Sequence, residues 1–413
     1  MHRRATFLPL VLTATLAFAA PALHADSLPA DATATITRQL EQAVQRGDTT
    51  GVVALVVDRD GVVYESAVGK LDVTANQPMT TDAIFNIASM TKPVTSVAIM
   101  MLMEQGKLSL DDPVSKHLPG FDKLQVMTKL NTADGTYESR PATKTMTVRH
   151  LLTHTSGIAY GFTSPALARL QQGTTKNEWD FPLMHEPGEK WTYGASTRVL
   201  GLIVEKITGT SLEPWYQEHI FRPLGMKDTS WAVPTEKQAR VPPVQRREEA
   251  GLQQQPRATL PATPPMPTRG DGGLYSTARD YGLFIRMLLN GGKLGSVRIL
   301  SEQSVKLMGE NHIGAVIVRT QEIGLPALSK PFPLGAGADK FGLGFQLAAK
   351  SKDSETYRRP GSMSWAGIYN TEFWIDPEKK IGGVLLMQTL PFYDDGAIRA
   401  LREFEAAVYR VMK

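Results

Sequence analysis

The chain has 413 residues, no cysteine and a formal net charge of +4. This length predicts two or three domains, and the lack of cysteine excludes disulfides, a cysteine nucleophile, thiolate metal sites and a lipoprotein anchor. The charge is small for the length and no long Lys/Arg run occurs, so we expect a solvated basic surface and no nucleic-acid partner.

The first 25 residues have the pattern of a secretory signal. A positive segment at residues 1–4 precedes an apolar stretch at residues 7–20, and small residues follow with possible cleavage after Ala22 or Ala25. The apolar stretch is too short for a membrane span, and no later stretch is long and uncharged enough. We therefore expect residues 1–25 to be a signal peptide and the mature protein to be periplasmic or secreted, without a stable membrane anchor.

The next hundred residues predict a helix, a hairpin and a second helix. Apolar residues at helical spacing predict a helix over 32–46 that ends at Gly47. Two runs rich in β-branched residues, 52–57 and 62–68, are joined by Asp-Arg-Asp-Gly and predict a β-hairpin. Residues 89–105 predict an apolar helix that tolerates Pro93 in its first turn.

The rest of the chain is helical in the middle and returns to strands near its end. We predict mostly helices and irregular loops over 110–235, and a Pro-rich irregular loop over 240–268. Later elements are a helix, three strands and a closing amphipathic helix, predicted at 277–289, 342–347, 370–375, 381–388 and 398–411.

This order predicts an α+β fold, because strands lie at both ends of the chain around a helical middle. One antiparallel sheet would be assembled from the two ends and flanked by helices. The predicted domains are a sheet domain over 26–110 and 270–413 and a helical domain over 111–269, with the site in the cleft between them.

Ser89-Met90-Thr91-Lys92 is an S-x-x-K tetrad at the start of an apolar helix. On a helix the amine of Lys92 can reach the hydroxyl of Ser89, and a buried lysine of lowered pKa can accept its proton. The helix N-terminus favours developing negative charge. Taken alone, the tetrad fits equally well a capping serine with a surface lysine.

Two later segments carry further candidates. Tyr193 precedes an apolar helix and matters only if it lies beside the tetrad. Residues 364–368 read Ser-Trp-Ala-Gly-Ile, where glycine permits close approach to a ligand and the following N–H could face an oxyanion. A buried tryptophan with a glycine at a bulge would also explain this segment.

Together these motifs resemble the serine β-lactamase and penicillin-binding-protein superfamily. The similarity to its class C-like branch extends to three further stretches, and family VIII carboxylesterases are the nearest group. The stretches are Phe-Asn-Ile-Ala before Ser89, Leu-Leu-Thr-His-Thr-Ser-Gly at 151–157 and Phe-Arg-Pro-Leu-Gly-Met at 221–226. The resemblance implies a β-lactamase/transpeptidase-like fold over nearly the whole mature chain.

The resemblance also implies the site. Ser89 would be the nucleophile, Lys92 and Tyr193 would share its proton, and the backbone N–H groups of Ser89 and Ile368 would form the oxyanion hole. The pocket would be lined by Trp365, Gly367, Tyr160 and Phe162. No cofactor or metal is expected.

Two departures from the β-lactamase pattern indicate the substrate. Ala195 occupies the position of the asparagine in the expected Tyr-x-Asn motif, and Trp365-Ala366-Gly367 occupies the position of Lys-Thr-Gly. A cation suited to a substrate carboxylate is thus replaced by an apolar surface. We therefore predict a carboxylesterase that hydrolyses short-to-medium acyl esters through an acyl-enzyme on Ser89.

Alternative functions remain open on the sequence: a β-lactamase or D-alanyl-D-alanine carboxypeptidase, an acyltransferase, or a non-catalytic binding homologue. Other catalytic patterns are weaker. G-x-S-x-G does not occur, His185-Glu186 lacks the second histidine of H-E-x-x-H, and His154 is expected to be structural.

Overall fold

A computed structural model of the protein describes residues 28–131, 133–349 and 358–412. The predicted signal peptide lies outside these residues. Within them, no helix is both long and apolar enough to span a membrane. The helices are α1 Ala30–Gln45, α2 Thr91–Glu104, α3 Val114–His117, α4 Val148–Leu152, α5 Pro165–Leu170, α6 Ser196–Thr208, α7 Leu212–Tyr216, α8 Arg222–Leu224, α9 Ala278–Leu289, α10 Glu302–Met308 and α11 Asp395–Val411.

The strands form one large sheet and several small ones. They are β1 Gly51–Asp58, β2 Val62–Asp72, β3 Gln77–Pro78, β4 Phe85–Ala88, β5 Gln125–Leu130, β6 Tyr137–Pro141, β7 Gln245–Glu248, β8 Gly251–Gln254, β9 Leu274–Ser276, β10 Lys293–Leu294, β11 Val297–Arg298, β12 Lys340–Phe341, β13 Gln346–Leu347, β14 Met363–Gly367, β15 Thr371–Asp376, β16 Ile381–Leu386 and β17 Thr389–Leu390.

The large sheet has eight strands and joins the two ends of the chain. Its order is β12-β13-β14-β15-β16-β1-β2-β3, and every neighbouring pair is antiparallel. The N-terminal β1 pairs with the C-terminal β16, with Val53 opposite Leu386. The predicted α+β fold with an antiparallel sheet flanked by helices is therefore confirmed.

Helices cover both faces of the sheet, which explains why β1 is apolar throughout. Alternate side chains of a strand point to opposite faces. Val53, Leu55 and Val57 pack into the core that contains α2 and α9. Val52, Ala54 and Val56 pack against α1 and α11 on the other face. A strand buried on both sides needs apolar residues at every buried position, as residues 51–57 of β1 have.

Three local predictions were wrong. Residues 240–268 are not wholly irregular, because β7 and β8 form a hairpin there and β7 pairs in parallel with β17. The region predicted to be helical contains the hairpin of β5 and β6. Of the strand predicted at 342–347, only 346–347 are strand; residues 342–345 form the turn between β12 and β13, closed by a bond from the N–H of Gly342 to the carbonyl of Phe345. The parallel partner of β7, which is β17, lies more than 100 residues away in the chain, so no local pattern predicts that pairing.

Candidate active site

The tetrad lies at a strong bend between β4 and α2. Ala88 closes β4 with a φ of +43°, which few non-glycine residues adopt. The bend is held by the side chain of Asn86, which accepts the N–H of Ala88 at 3.0 Å, and by the hydroxyl of Thr91, which donates to the carbonyl of Ala88 at 2.7 Å. Ser89 therefore lies on a rigid support just before α2, which begins at Thr91, two residues later than the predicted helix.

Ser89, Lys92 and Tyr193 meet around one hydroxyl. Nζ of Lys92 lies 3.0 Å from Oγ of Ser89, and the phenol of Tyr193 lies 2.7 Å from the same oxygen. Tyr193 comes from the segment before α6, 104 residues along the chain. The alternative of a capping serine with a surface lysine is wrong, because the side chain of Ser89 does not cap α2 and Lys92 is 2% exposed. The structure thus brings together the three predicted catalytic residues.

Burial changes the protonation of both partners of Ser89. It lowers the pKa of Lys92 to about 7, against the opposing effect of the Asp271 carboxylate, which favours the ammonium form. It raises the pKa of Tyr193 above its ordinary value, although the hydrogen bond to Ser89 acts in the opposite direction. At neutral pH a large fraction of Lys92 is therefore uncharged and able to accept a proton, while Tyr193 keeps its own.

The turn after β14 lies against the backbone that leads into Ser89. A Cβ on Gly367 would be 2.4 Å from the carbonyl oxygen of Ile87, a contact that only glycine permits. The hydroxyl of Thr371 also reaches that carbonyl at 3.4 Å. Ile368 follows Gly367 directly, so its amide is carried next to the Ser89 bend, as an oxyanion hole formed by both amides would require.

The predicted pocket residues form an aromatic wall around Tyr193. The ring of Trp365 is 5.0 Å from the ring of Tyr193, and those of Tyr160 and Phe162 are 5.4 Å and 6.4 Å from it. Phe162 is half-buried and stacks on Tyr160 at 5.2 Å. Trp365 therefore places a flat apolar surface beside the three polar groups.

His154 belongs to this wall. Its ring packs 5.0 Å from Tyr193 and 6.1 Å from Trp365, and burial lowers its pKa well below the ordinary value. A neutral imidazole among aromatic rings agrees with the structural role expected for it. Among the residues that the structure describes, no group of three or more His, Cys, Asp or Glu side chains could hold a metal ion.

A buried ionic cluster that no sequence pattern predicts lies next to Lys92. The carboxylate of Asp271 contacts Arg198, Arg269 and the phenol of Tyr160, while its backbone carbonyl accepts a hydrogen bond from Lys92 at 2.7 Å. The only local signal is a pair of charged residues in the glycine-rich segment at 269–273. Arg198 and Asp271 are 73 residues apart, so their pairing could not be predicted.

A cavity of about 420 Å³ is lined by residues close in the chain to Ser89 and Ile368, but by neither of those two residues. One wall includes Asn86, three residues before Ser89, and Tyr369, the residue after Ile368. The opposite wall is formed by the Pro-rich segment, from Gln238 to Leu260. The size falls within the range of ordinary small-molecule pockets. The Pro-rich segment is therefore one side of a cavity next to the candidate site.

Comparison with known proteins decides the family. The model of the Beta-lactamase family matches residues 36–408. The chain belongs to the Beta-lactamase family. An uncharacterized protein of Mycobacterium tuberculosis is 35% identical to it over 367 residues, which cover 85% of this chain and 89% of that protein.

Other relatives of this Beta-lactamase family protein have names that describe activities. A lovastatin esterase of Penicillium rubens is 28% identical over 395 residues, covering 90% of this chain and 96% of the esterase. The structure of EstCE1, described as a hydrolase with promiscuous acyltransferase activity, matches with a TM-score of 0.74 at 25% identity, covering 92% of this chain and 99% of EstCE1. These relatives indicate an enzyme of the serine hydrolase type, with esterase or acyltransferase activity.

Proposed function

We propose that the protein is a serine carboxylesterase that hydrolyses neutral esters of short-to-medium acyl chains through an acyl-enzyme on Ser89. The main support is the contact between Trp365 and Tyr193. It places an apolar ring, rather than a cation, beside a serine that already has a lysine and a tyrosine within hydrogen-bond distance.

In the proposed mechanism, Oγ of Ser89 attacks the ester carbonyl carbon and its proton passes to the pair formed by Lys92 and Tyr193. These two groups titrate together, so the proton is assigned to the pair. The amides of Ser89 and Ile368 stabilise the oxyanion. The carbon–oxygen bond of the alcohol then breaks, and Tyr193 protonates the leaving oxygen. Water attacks the acyl-enzyme and gives its proton to the same pair, and the pair returns a proton to Oγ of Ser89 as the ester bond to the serine breaks and the acid leaves.

Electrostatics favour a neutral ester over a β-lactam or a peptidoglycan stem. Those substrates carry a carboxylate, and the lysine and asparagine that would recognise it are replaced by Trp365 and Ala195. Placing a carboxylate against a buried indole without a cation would cost its desolvation energy with no compensating charge. Ester substrates carry no such penalty.

The cavity lined by Asn86, Tyr369 and the Pro-rich segment supports a substrate with a bulky neutral part. Its walls are mainly apolar, and Arg257, the cation in its lining, is bound to Asp72 at 2.9 Å. The relative named lovastatin esterase agrees with an ester as the substrate. We place one side of the ester in this cavity and the other against Trp365.

Acyl transfer is the second candidate, and the likeness to EstCE1 favours it. The same acyl-enzyme would be attacked by an alcohol instead of water, with no change in the roles of Ser89, Lys92 and Tyr193. Product partition between acid and new ester, measured with a second alcohol added, separates the two activities.

A substrate panel tests the proposed ester specificity. We expect turnover of nitrophenyl acetate and butyrate, and a kcat/KM for a chromogenic cephalosporin that is lower by about three orders of magnitude, in line with the loss of paired polar recognition. Trp365→Lys is the informative variant. By restoring a cation, it should reduce the difference in kcat/KM between the nitrophenyl esters and the cephalosporin. A wild-type enzyme that prefers the cephalosporin would contradict the proposal.

The pH dependence of ester hydrolysis follows from the pKa of Lys92. The amine must be neutral to accept the proton of Ser89, so kcat/KM should be low in acid and rise through about pH 7, the pKa that burial gives this residue. The profile is measured with nitrophenyl acetate in buffers of constant ionic strength. The pH range should extend about two units on either side of that pKa, from about 5 to about 9. A kcat/KM that does not change over this range would exclude Lys92 as the base.

A further inference from the structure

The segment before β9 is held in place by contacts with two helices. Gly270 packs on α6, where an added Cβ would lie 2.9 Å from the Cα of Gly201. Thr95 of α2 donates to the carbonyl of Gly270 at 2.6 Å. The next carbonyl, that of Asp271, accepts the hydrogen bond from Nζ of Lys92 at 2.7 Å. This bond and the one to Ser89 together determine where the amine lies.

The side chain of Asp271 is the buried centre of an ionic cluster. Its carboxylate is fully buried and accepts hydrogen bonds from Nε and Nη2 of Arg198, at 3.1 Å and 3.0 Å, and from Arg269 at 3.2 Å. The phenol of Tyr160 donates to the same carboxylate, and Arg198 also pairs with Glu178 at 2.9 Å. Such a multiply bonded carboxylate has little freedom, so the backbone of residue 271 is fixed with it.

We propose that Asp271 is a positioning residue for the reaction: its carboxylate, held by Arg198, Arg269 and Tyr160, fixes the carbonyl that holds the Lys92 amine against Ser89. This inference rests on the proposed function, in which Lys92 accepts the proton of Ser89. It adds a role for a charged group that touches neither the substrate nor the reacting hydroxyl.

The cluster also balances the charge around Lys92. Two carboxylates and two guanidinium groups lie on three elements around the amine, and their formal charges cancel. The remaining titratable groups near the amine are aromatic: the phenols of Tyr160 and Tyr193, whose rings lie 5.3 Å and 4.9 Å from Nζ, and the imidazole of His154, whose ionisation Lys92 disfavours. The carboxylate of Asp271 raises the pKa of Lys92, while Arg269 and Arg198 lower it. Burial has the largest effect on the pKa of Lys92, because the charges around the amine nearly cancel.

The test uses two substitutions that change this field in opposite directions. Asp271→Asn removes a negative charge, so the ammonium form is disfavoured and the acid limb of the kcat/KM profile should move to lower pH. Arg269→Gln removes a positive charge, so the limb should move to higher pH. Arg269→Lys is the matched control, since it keeps the charge and should leave the limb in place. Arg269 is 55% exposed, so its effect should be the smaller one.

The positioning role predicts a loss in kcat as well. Asp271→Asn should reduce kcat for nitrophenyl acetate by about a hundredfold with little change in KM, because a displaced base misses the geometry of the transition state. A kcat within twofold of wild type would overturn the proposal. So would a lower kcat with an unmoved acid limb, because that result would mean only a structural role.

Two further measurements keep the test decisive. If circular dichroism shows that Asp271→Asn does not fold, the variants Arg269→Gln and Arg269→Lys are compared instead. Acid limbs of kcat/KM at the same pH in both variants would overturn the proposal. An acid limb that moves only in Arg269→Gln would support it. Failure of the proposed function has a different signature, since the wild type would then show no ester turnover that depends on Ser89.

Discussion

Ser89→Ala is expected to abolish ester hydrolysis while the fold survives. The substitution removes the nucleophile and with it the whole covalent route, so kcat should fall on the order of 10⁵-fold to 10⁶-fold, as for hydrolases that lose their catalytic serine. What remains would come from substrate binding and the oxyanion hole. The assay is the turnover of nitrophenyl acetate, together with labelling of the protein by a fluorophosphonate.

Stability should change little in this variant. The hydroxyl of Ser89 contacts Lys92 and Tyr193, and Lys92 keeps its hydrogen bond to the carbonyl of Asp271 when the hydroxyl is removed. The cost should therefore be about 1 kcal/mol of unfolding free energy or less. Ser96→Ala is a suitable control, because Ser96 is buried in α2, about two helical turns after Ser89. This variant should retain full activity. Substantial turnover by the Ser89→Ala protein would disprove the assignment.

Lys92→Met is expected to have the second largest effect. Methionine fills a similar volume without an amine, so the position of Ser89 is kept while its base is removed. General-base catalysis contributes about 10²-fold to 10⁴-fold. We expect a loss in kcat near the upper end because the amine is one of two polar groups that bond to the hydroxyl among the residues the structure describes. The rise of kcat/KM through about pH 7 should disappear with the amine.

The double variant shows whether Lys92 and Tyr193 act as a unit. Tyr193→Phe alone should also reduce kcat strongly, since it removes the phenol that lies 2.7 Å from Ser89 and protonates the leaving alcohol in the proposed mechanism. If both groups carry one proton path, the loss in kcat of the double variant should be little more than the larger of the two single-variant losses. Losses that multiply would mean that the two residues act independently, which contradicts a shared path.

Proton transfer and substrate recognition are separable in this site. In the proposed mechanism, Ser89, Lys92 and Tyr193 form a unit in which the serine hydroxyl can attack many carbonyl compounds and become acylated. The selection of a substrate depends on what surrounds that unit, here the ring of Trp365 and the cavity between Tyr369 and the Pro-rich segment. A family name based on lactams therefore does not conflict with an ester substrate.

The sequence by itself determined the elements whose signal is local. The helical spacing of residues 32–46, the hairpin at residues 58–61 and the apolar run of β1 each follow from neighbouring residues, and all of them are found in the structure. The S-x-x-K tetrad belongs to the same class, because one helical turn is enough to bring an amine near a hydroxyl.

Only the tertiary structure decided what depends on distant partners. A single tyrosine at position 193 carries no local sign of its contact with Ser89, and Asp271 gives none of its pairing with Arg198. The strand pairing of β7 is hidden for the same reason. The pKa of Lys92 also depends on the tertiary structure. The tetrad shows that Lys92 can reach Ser89, but the low pKa of Lys92 arises from desolvation by segments elsewhere in the chain. No spacing within the tetrad encodes that burial.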